Sequence, residues 1–237
     1  VAVGVCAALQ SEDVLLVHHR MLAWAVHKVP MKPLVDELLG LPSGICGGMA
    51  GEMSIRAPEY GLLHTFQIVG TVVPVAAGVA WAMKQRGSKG IVVAVHGDAA
   101  TANGQWHEGL NIAAVNHLPL LLVCENNGVA GNVKMEQYSP TEHIANRASG
   151  YGVTVAAPDG NSVEDVYGYA RIAIRRVRGG EGPILLECHT NRLGRHKQGM
   201  GDRRTPEEMA RLRVQDPLRY MTEAERSWAA EMLKPVL

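Results

Sequence analysis

Two uninterrupted apolar runs, Ile91 to Val95 and Leu120 to Cys124, constrain the fold of this chain more than any other feature. The first is rich in β-branched residues and bounded by Gly90 and Gly97, and neither run alternates with polar residues. Such runs suit strands covered on both faces, as in a parallel sheet. Between them, Gln105 to His117 carries Leu110, Ala113 and Ala114 at helical spacing, continued by Leu118. The unit reads strand–turn–helix–strand, and a right-handed crossover brings both strands out on the same sheet edge. Asp98 and Asn127, just under thirty residues apart, would then emerge side by side where open α/β sheets bind ligands.

The residue types at that edge specify a chemistry. Asp98 offers a carboxylate and Asn127 an amide oxygen, both hard ligands suited to Mg²⁺ or Ca²⁺. Gly97, Ala99 and Ala100 are small enough for backbone N–H groups to approach a phosphate. The helix beginning near Thr101 or Asn103 points its positive end at the same place. A metal-bridged diphosphate is the occupant these features predict.

Bulk properties narrow the field. A chain of 237 residues, 47% hydrophobic with 26 glycines, fits one α/β domain spanning 1–237. With 23 basic and 23 acidic residues the formal charge is zero, so neither a nucleic acid nor an anionic membrane is expected as partner. No apolar run approaches the roughly 18 residues of a membrane span. Cys6, Cys46, Cys124 and Cys188 form no CxxC. Cys124 and Cys188 end apolar runs and read as buried free thiols, which suits a cytoplasmic location. The chain opens on Val1 in mid-pattern, so its N-terminus is expected to be incomplete and organellar targeting stays open.

Gly-Asp-Ala at 97–99 followed by Glu-Asn-Asn-Gly at 125–128 resembles the thiamine diphosphate signature. The surrounding sequence, GDAATANGQWHEGLNIAAVNHLPLLLVCENNGVA, GNSVEDVY and EGPILLECHTNR, resembles the α subunit of the E1 components of 2-oxo acid and acetoin dehydrogenase complexes. The likeness runs from residue 1 to about Tyr220. It implies a thiamine diphosphate-binding fold, a mostly parallel sheet with helices on both faces. It also implies that Asp98, Asn127 and the Val129 carbonyl hold Mg, and that Gly97, Asp98, Ala99 and Ala100 line the cofactor diphosphate.

Taken in order, residues 1–9 read as the end of a small-residue helix, and Val14 to Val17 as a strand ending in His18-His19-Arg20. The resemblance places His19 and Arg20 on the diphosphate, and a guanidinium at a strand end suits a phosphate. A surface ion pair is the plain alternative for Arg20. Leu22 stands where relatives carry a His. Residues 31–40 read as a short helix, followed by a glycine-rich loop in which Glu52 and Ser54 replace the Ser and His of the family's Ser-Met-His. Gln67 and Val69 match positions whose backbone meets the aminopyrimidine ring, and His64 is a catalytic candidate facing the thiazolium or else a structural residue. A helix is expected from Pro74 to Arg86 and a tight loop at Gly128–Gly131. Further helices are expected at Thr141–Gly150, capped by Thr141, at Ser162–Arg178, with Ser162 as cap, and at Pro206–Val214. Strands are expected at Val153–Ala156 and Ile184–Cys188. The basic loop 190–205 matches the family's mobile loop, with Arg192 and His196 at its Arg and His. The resemblance assigns His196 to proton transfer or diphosphate binding, while a solvent-exposed loop residue is the simpler alternative.

No residue near the expected cofactor qualifies as the carboxylate that activates the aminopyrimidine. Glu108 and Glu125 lie by the metal end. In the resembling heteromers a β subunit supplies that Glu, which implies an α₂β₂ assembly acting on a 2-oxo acid or an acetoin-like compound and passing the acyl group to a lipoyl-bearing acyltransferase. Glu52, Ser54 and Leu22 leave room for a two-chain carboligase or transketolase-like enzyme that makes no lipoyl transfer. A non-enzymatic paralogue or a phosphate-binding module is the third possibility.

Overall fold

The computed structural model describes residues 1–20 and 22–233, with side chains to 228; Met21 and 234–237, at the end of the expected 1–237 unit, lie outside the described residues. Six strands form one parallel sheet: β1 (Val14–His18), β2 (Leu62–Phe66), β3 (Val92–Gly97), β4 (Leu120–Asn126), β7 (Thr154–Ala156) and β8 (Ile184–His189). Their order is β2-β1-β3-β4-β8-β7. The chain turns outward from β1 to β2 and returns to lay β3 on the other flank of β1. That reversal opens a crevice at the carboxyl ends of β1 and β3.

Alternation along the strands builds two cores. Leu15, Val17, Val93, Val95, Leu121, Val123 and Leu186 face one side, where α1 (Ala2–Cys6), α2 (Leu22–Lys28) and α7 (Val163–Arg178) cover them with Val5, Trp24, Val166, Ile174 and Val177. Leu16, Val92, Ala94, Leu122, Cys124 and Leu185 face the other, against α4 (Val72–Gln85), α5 (Gly104–Val115) and α6 (Ile144–Ser149). Fully burying one such Leu or Val contributes about 1.5–3 kcal/mol, so uninterrupted apolar runs are what this two-sided sheet requires. The expected architecture, a parallel sheet with helices on both faces, is the one observed. α4 and α5 pack so closely that a Cβ on Gly109 would lie 2.6 Å from the Pro74 nitrogen. Only glycine permits that approach.

Several elements differ from expectation. The sequence pattern predicts no element at β2, α2 or α9 (Glu223–Leu233), yet each forms. The expected tight loop at 128–131 is instead a small antiparallel hairpin, β5 (Val129–Ala130) with β6 (Val133–Lys134). The helix expected from Thr141 begins at Ile144, with His143 as N-cap and no side-chain cap bond. Thr141 does not cap it, because the carboxylate of Glu187 accepts from the N–H groups of Ile144 at 3.0 Å and Ala145 at 2.8 Å. Ser162 does cap α7, accepting from Asp165 N–H at 3.1 Å. α8 (Pro206–Val214) starts with a reciprocal cap between Thr205 and Glu208. α3 (Met31–Leu38) ends just before Gly40 as expected. Among the described residues no helix is long and apolar enough to cross a membrane.

Candidate functional site

The site lies at the carboxyl ends of β1, β3, β4 and β8. β3 and β4 run in register to Gly97 opposite Glu125, so the next residues of each strand meet. Asp98 opens a 3-10 turn (Asp98–Ala102), with Thr101 Oγ1 donating to its carbonyl at 2.8 Å. Its carboxylate is buried, 2% exposed. Oδ1 accepts from the Asn127 N–H at 3.3 Å and Oδ2 accepts from the Tyr138 hydroxyl. The Asn127 amide oxygen accepts from the Val129 N–H at 3.2 Å. Asp98, Asn127 and Val129 are therefore together. The preceding asparagine does different work: Asn126 is buried and donates to Glu187 at 2.6 Å.

Gly97 needs no glycine for its own backbone, since its φ is −84° and a Cβ there would meet nothing closer than the Glu125 carbonyl at 4.0 Å. Packing within the chain does not account for the missing side chain. Ala99 is half-buried beside it, whereas Ala100 is buried in the core under α4 and α5. Asn103 caps α5 by accepting from Gln105 N–H at 2.9 Å.

A cationic cluster stands at the ends of β1 and β8, with Arg192 near enough to Asp98 to feel its charge. Arg20, just beyond β1, contacts His196 Nδ1 at 2.9 Å and also donates to the His196 carbonyl. A guanidinium can only donate, so Nδ1 of His196 must be the unprotonated nitrogen. Burial lowers the His196 pKa, and Arg20, Arg192 and His19 lower it further. Burial likewise lowers His19, followed by His18 and Arg20. Arg192, on the loop after β8, has buried Nε and Nη2 atoms with no hydrogen-bond partner among the described residues. Burial and the nearby Arg204 depress its pKa. Arg204 donates to the Arg192 and Gly194 carbonyls and pairs with Asp202 at 2.6 Å, which holds this loop in shape. Partnerless buried guanidinium nitrogens beside further cations are a donor set that lacks an anion.

The other expected residues come from β2 and the loop after it. Gln67 follows β2 and donates to Ser54 Oγ at 2.6 Å. The Val69 carbonyl accepts from Asn103 Nδ2 at 2.9 Å. His64 is mid-strand in β2, and its buried Nδ1 has no partner among the described residues. It lines a separate hollow of about 530 Å³ with Cys46, Ser54 and Arg56, to which neither Asp98, Asn127 nor Arg20 contributes. Glu125 is held by His18 Nε2 at 2.8 Å and Trp24 Nε1 at 3.2 Å. Burial raises its pKa, but those bonds outweigh burial and the net shift is downward. It is an anchor between β1, α2 and β4.

Two residues that shape the site and its neighbouring loop carry no sequence signal. Tyr138 reaches Asp98 from 40 positions away. Glu37 sits in α3, buried, and its carboxylate accepts from the N–H groups of Cys46, Gly48, Ala50 and Gly51 at 2.7, 2.8, 2.6 and 3.3 Å. It shapes the glycine-rich loop leading to Glu52 and Ser54.

The family model described as dehydrogenase E1 component matches residues 1–231. The chain is 38% identical over 84% of its length to the α subunit of acetoin:2,6-dichlorophenolindophenol oxidoreductase of Bacillus subtilis, covering 60% of that protein. It is 36% identical over 83% of its length to the pyruvate dehydrogenase E1 component subunit alpha of Zymomonas mobilis, covering 56% of it. The chain thus spans a little over half the length of these relatives. In fold it matches a Mycobacterium smegmatis protein described as a thiamin diphosphate-dependent enzyme, with a TM-score of 0.54 and 18% identity over 80% of this chain and 30% of that one. With almost its whole length matched by one model, this chain belongs to the dehydrogenase E1 component family.

Proposed function

We propose that this chain binds the diphosphate end of thiamine diphosphate through Mg²⁺ and acts as the α subunit of a two-chain 2-oxo acid or acetoin dehydrogenase E1. The observation that carries the reading is the pairing of a buried carboxylate, Asp98, with a cationic cluster in which Nε and Nη2 of Arg192 have no partner among the described residues. Asp98, the Asn127 amide oxygen and the Val129 carbonyl would hold the metal, a hard-oxygen set suited to Mg²⁺. Arg20, Arg192 and His196 would hold phosphate oxygens with the Gly97–Ala100 backbone, and Gln67 and Val69 would border the ring end. Thiamine diphosphate supplies a nucleophilic carbon and an electron sink. The chain's own task is to anchor, orient and keep His196 in the form that can accept a proton at Nδ1 or pass one on. A β subunit completing an α₂β₂ assembly would bring the activating Glu, since Glu125 is committed to His18 and Trp24. A lipoyl-bearing acyltransferase would take the acyl group. The four unpaired cysteines support a cytoplasmic setting.

Calorimetric titration of the full chain with thiamine diphosphate and Mg²⁺ tests the binding half. Heat of binding is expected for the native chain and none for Asp98→Ala, with unchanged circular dichroism; equal affinity in the variant refutes the assignment. A second reading rests on Ser54, which is tied to Gln67 where the family carries a His. It is a carboligase or transketolase-like reaction without lipoyl transfer. With the β subunit added, reductive acylation of lipoamide from pyruvate or acetoin supports the first reading, and C–C bond formation without it supports the second.

A further inference from the structure

A second constellation lies outside the diphosphate site. His143 precedes α6, and Glu187 and His189 come from the end of β8. One ligand atom from each lies within 4.8 Å of the others. The two imidazoles meet edge to face at a centroid separation of 5.5 Å, and His189 Nε2 stands 3.7 Å from Glu187 Oε1. That distance is too long for a hydrogen bond. Neither imidazole makes a side-chain hydrogen bond to the described residues, whereas His96 and His107 each make two. Both rings open into a broad groove of about 1710 Å³ between the β5–β6 hairpin and α8.

We propose that His143, His189 and Glu187 form a binding site for a divalent transition metal of the Zn²⁺ or Co²⁺ class. Two neutral imidazoles and one carboxylate form a borderline donor set that favours such ions over Mg²⁺. Three protein ligands facing a groove leave a fourth position for water, as in open tetrahedral sites. The ligand atoms need to close only modestly, because metal–ligand bonds of about 2.0–2.2 Å place tetrahedral ligands roughly 3.4 Å apart. The exposed His143 and half-exposed His189 have freedom for this. Glu187 is already fixed: Oε1 accepts from Asn126 Nδ2 and Ile144 N–H, and Oε2 only from Ala145 N–H. Oε2 keeps a lone pair for the ion, and because Oε1 is the oxygen nearer His189, the half-exposed His189 ring has to swing toward Oε2; the donors orient the carboxylate as outer-shell partners do around metals. A bound ion would pin the start of α6 to β8, with Asn126, next to the diphosphate-site Asn127, held through the same carboxylate.

The full chain, stripped with chelator and held in excess Mg²⁺ to occupy hard-oxygen sites, is titrated with Co²⁺ and Zn²⁺. Visible absorption reports Co²⁺ coordination, and Zn²⁺ displaces it. One equivalent is expected, with affinity reduced in His143→Gln and in His189→Gln by at least the roughly 10–100-fold that outer-shell changes cost. Asp98→Ala should bind the ion unchanged, which separates this site from the diphosphate reading. No stoichiometric binding, or the same affinity in both histidine variants, overturns the proposal.

Discussion

Glu37→Gln is the most informative single perturbation, because one oxygen pair organises a whole loop. Glu37 is fully buried, with Oε1 accepting from Ala50 and Gly51 and Oε2 from Cys46 and Gly48. Glutamine keeps the shape but offers only one acceptor oxygen, so its NH₂ would face two backbone donors. Hydrogen bonds to a charged group contribute about 1.5–3 kcal/mol each, so losing two costs about 3–6 kcal/mol. Much of the loop is exposed, and water can rescue freed N–H groups, which favours the lower figure. Burial raises the Glu37 pKa, but the four N–H donors outweigh it and leave the net shift downward. A carboxyl with a depressed folded pKa stabilises fully above its unfolded value near 4.3, and loses that contribution as pH falls through the folded value. Urea unfolding at pH 7 should show Glu37→Gln less stable by about 3 kcal/mol. The gap should narrow as pH falls below the unfolded value near 4.3, where the unfolded chain takes up a proton that native Glu37 still refuses. Hydrogen exchange should speed up at residues 46–51. An unchanged urea midpoint with unchanged loop exchange would refute the claim that this carboxylate holds the loop.

Arg192→Met should leave the fold as stable or stabilise it, since the guanidinium it removes has two buried nitrogens without a partner among the described residues, while weakening thiamine diphosphate binding by about 10–100-fold; calorimetry and urea unfolding read both. His96 is buried between a Trp106 donor at 3.2 Å and the Gly97 carbonyl at 3.0 Å, and burial holds its pKa at about 4. The unfolded chain therefore takes up a proton below about pH 6.5 that the native state refuses until near pH 4, and native stability should fall by about 3 kcal/mol across that window; His96→Gln should flatten this slope in urea midpoints against pH. Gly109→Ala would drive a methyl to 2.6 Å from the Pro74 nitrogen and 2.8 Å from its Cα, so α4 and α5 must part, at a cost of about 1–3 kcal/mol or more in thermal or urea unfolding.

Where the sequence was legible, one local cause sufficed. β3 and β4 are covered on both faces, so each opens as an unbroken apolar run; β2 is a sheet edge, and Leu62-Leu63-His64-Thr65-Phe66 mixes polar with apolar residues as an edge permits. Asp98 and Asn127 could be paired in advance because a single right-handed crossover fixes where both emerge. The start of α6 was misread for the opposite reason. Thr141 and Glu142 imitate a cap, but the acceptor is Glu187, more than forty positions later in the chain. Glu37 and Tyr138 are of the same kind, a buried carboxylate on a helix and a phenol beyond a hairpin, and spacing says nothing about groups that meet only after the sheet has closed. Arg192 lies between these cases. Its position is visible in the sequence, but the proposal that it binds a ligand rests on two buried nitrogens without a partner among the described residues, and that shows only once every neighbouring acceptor has been placed.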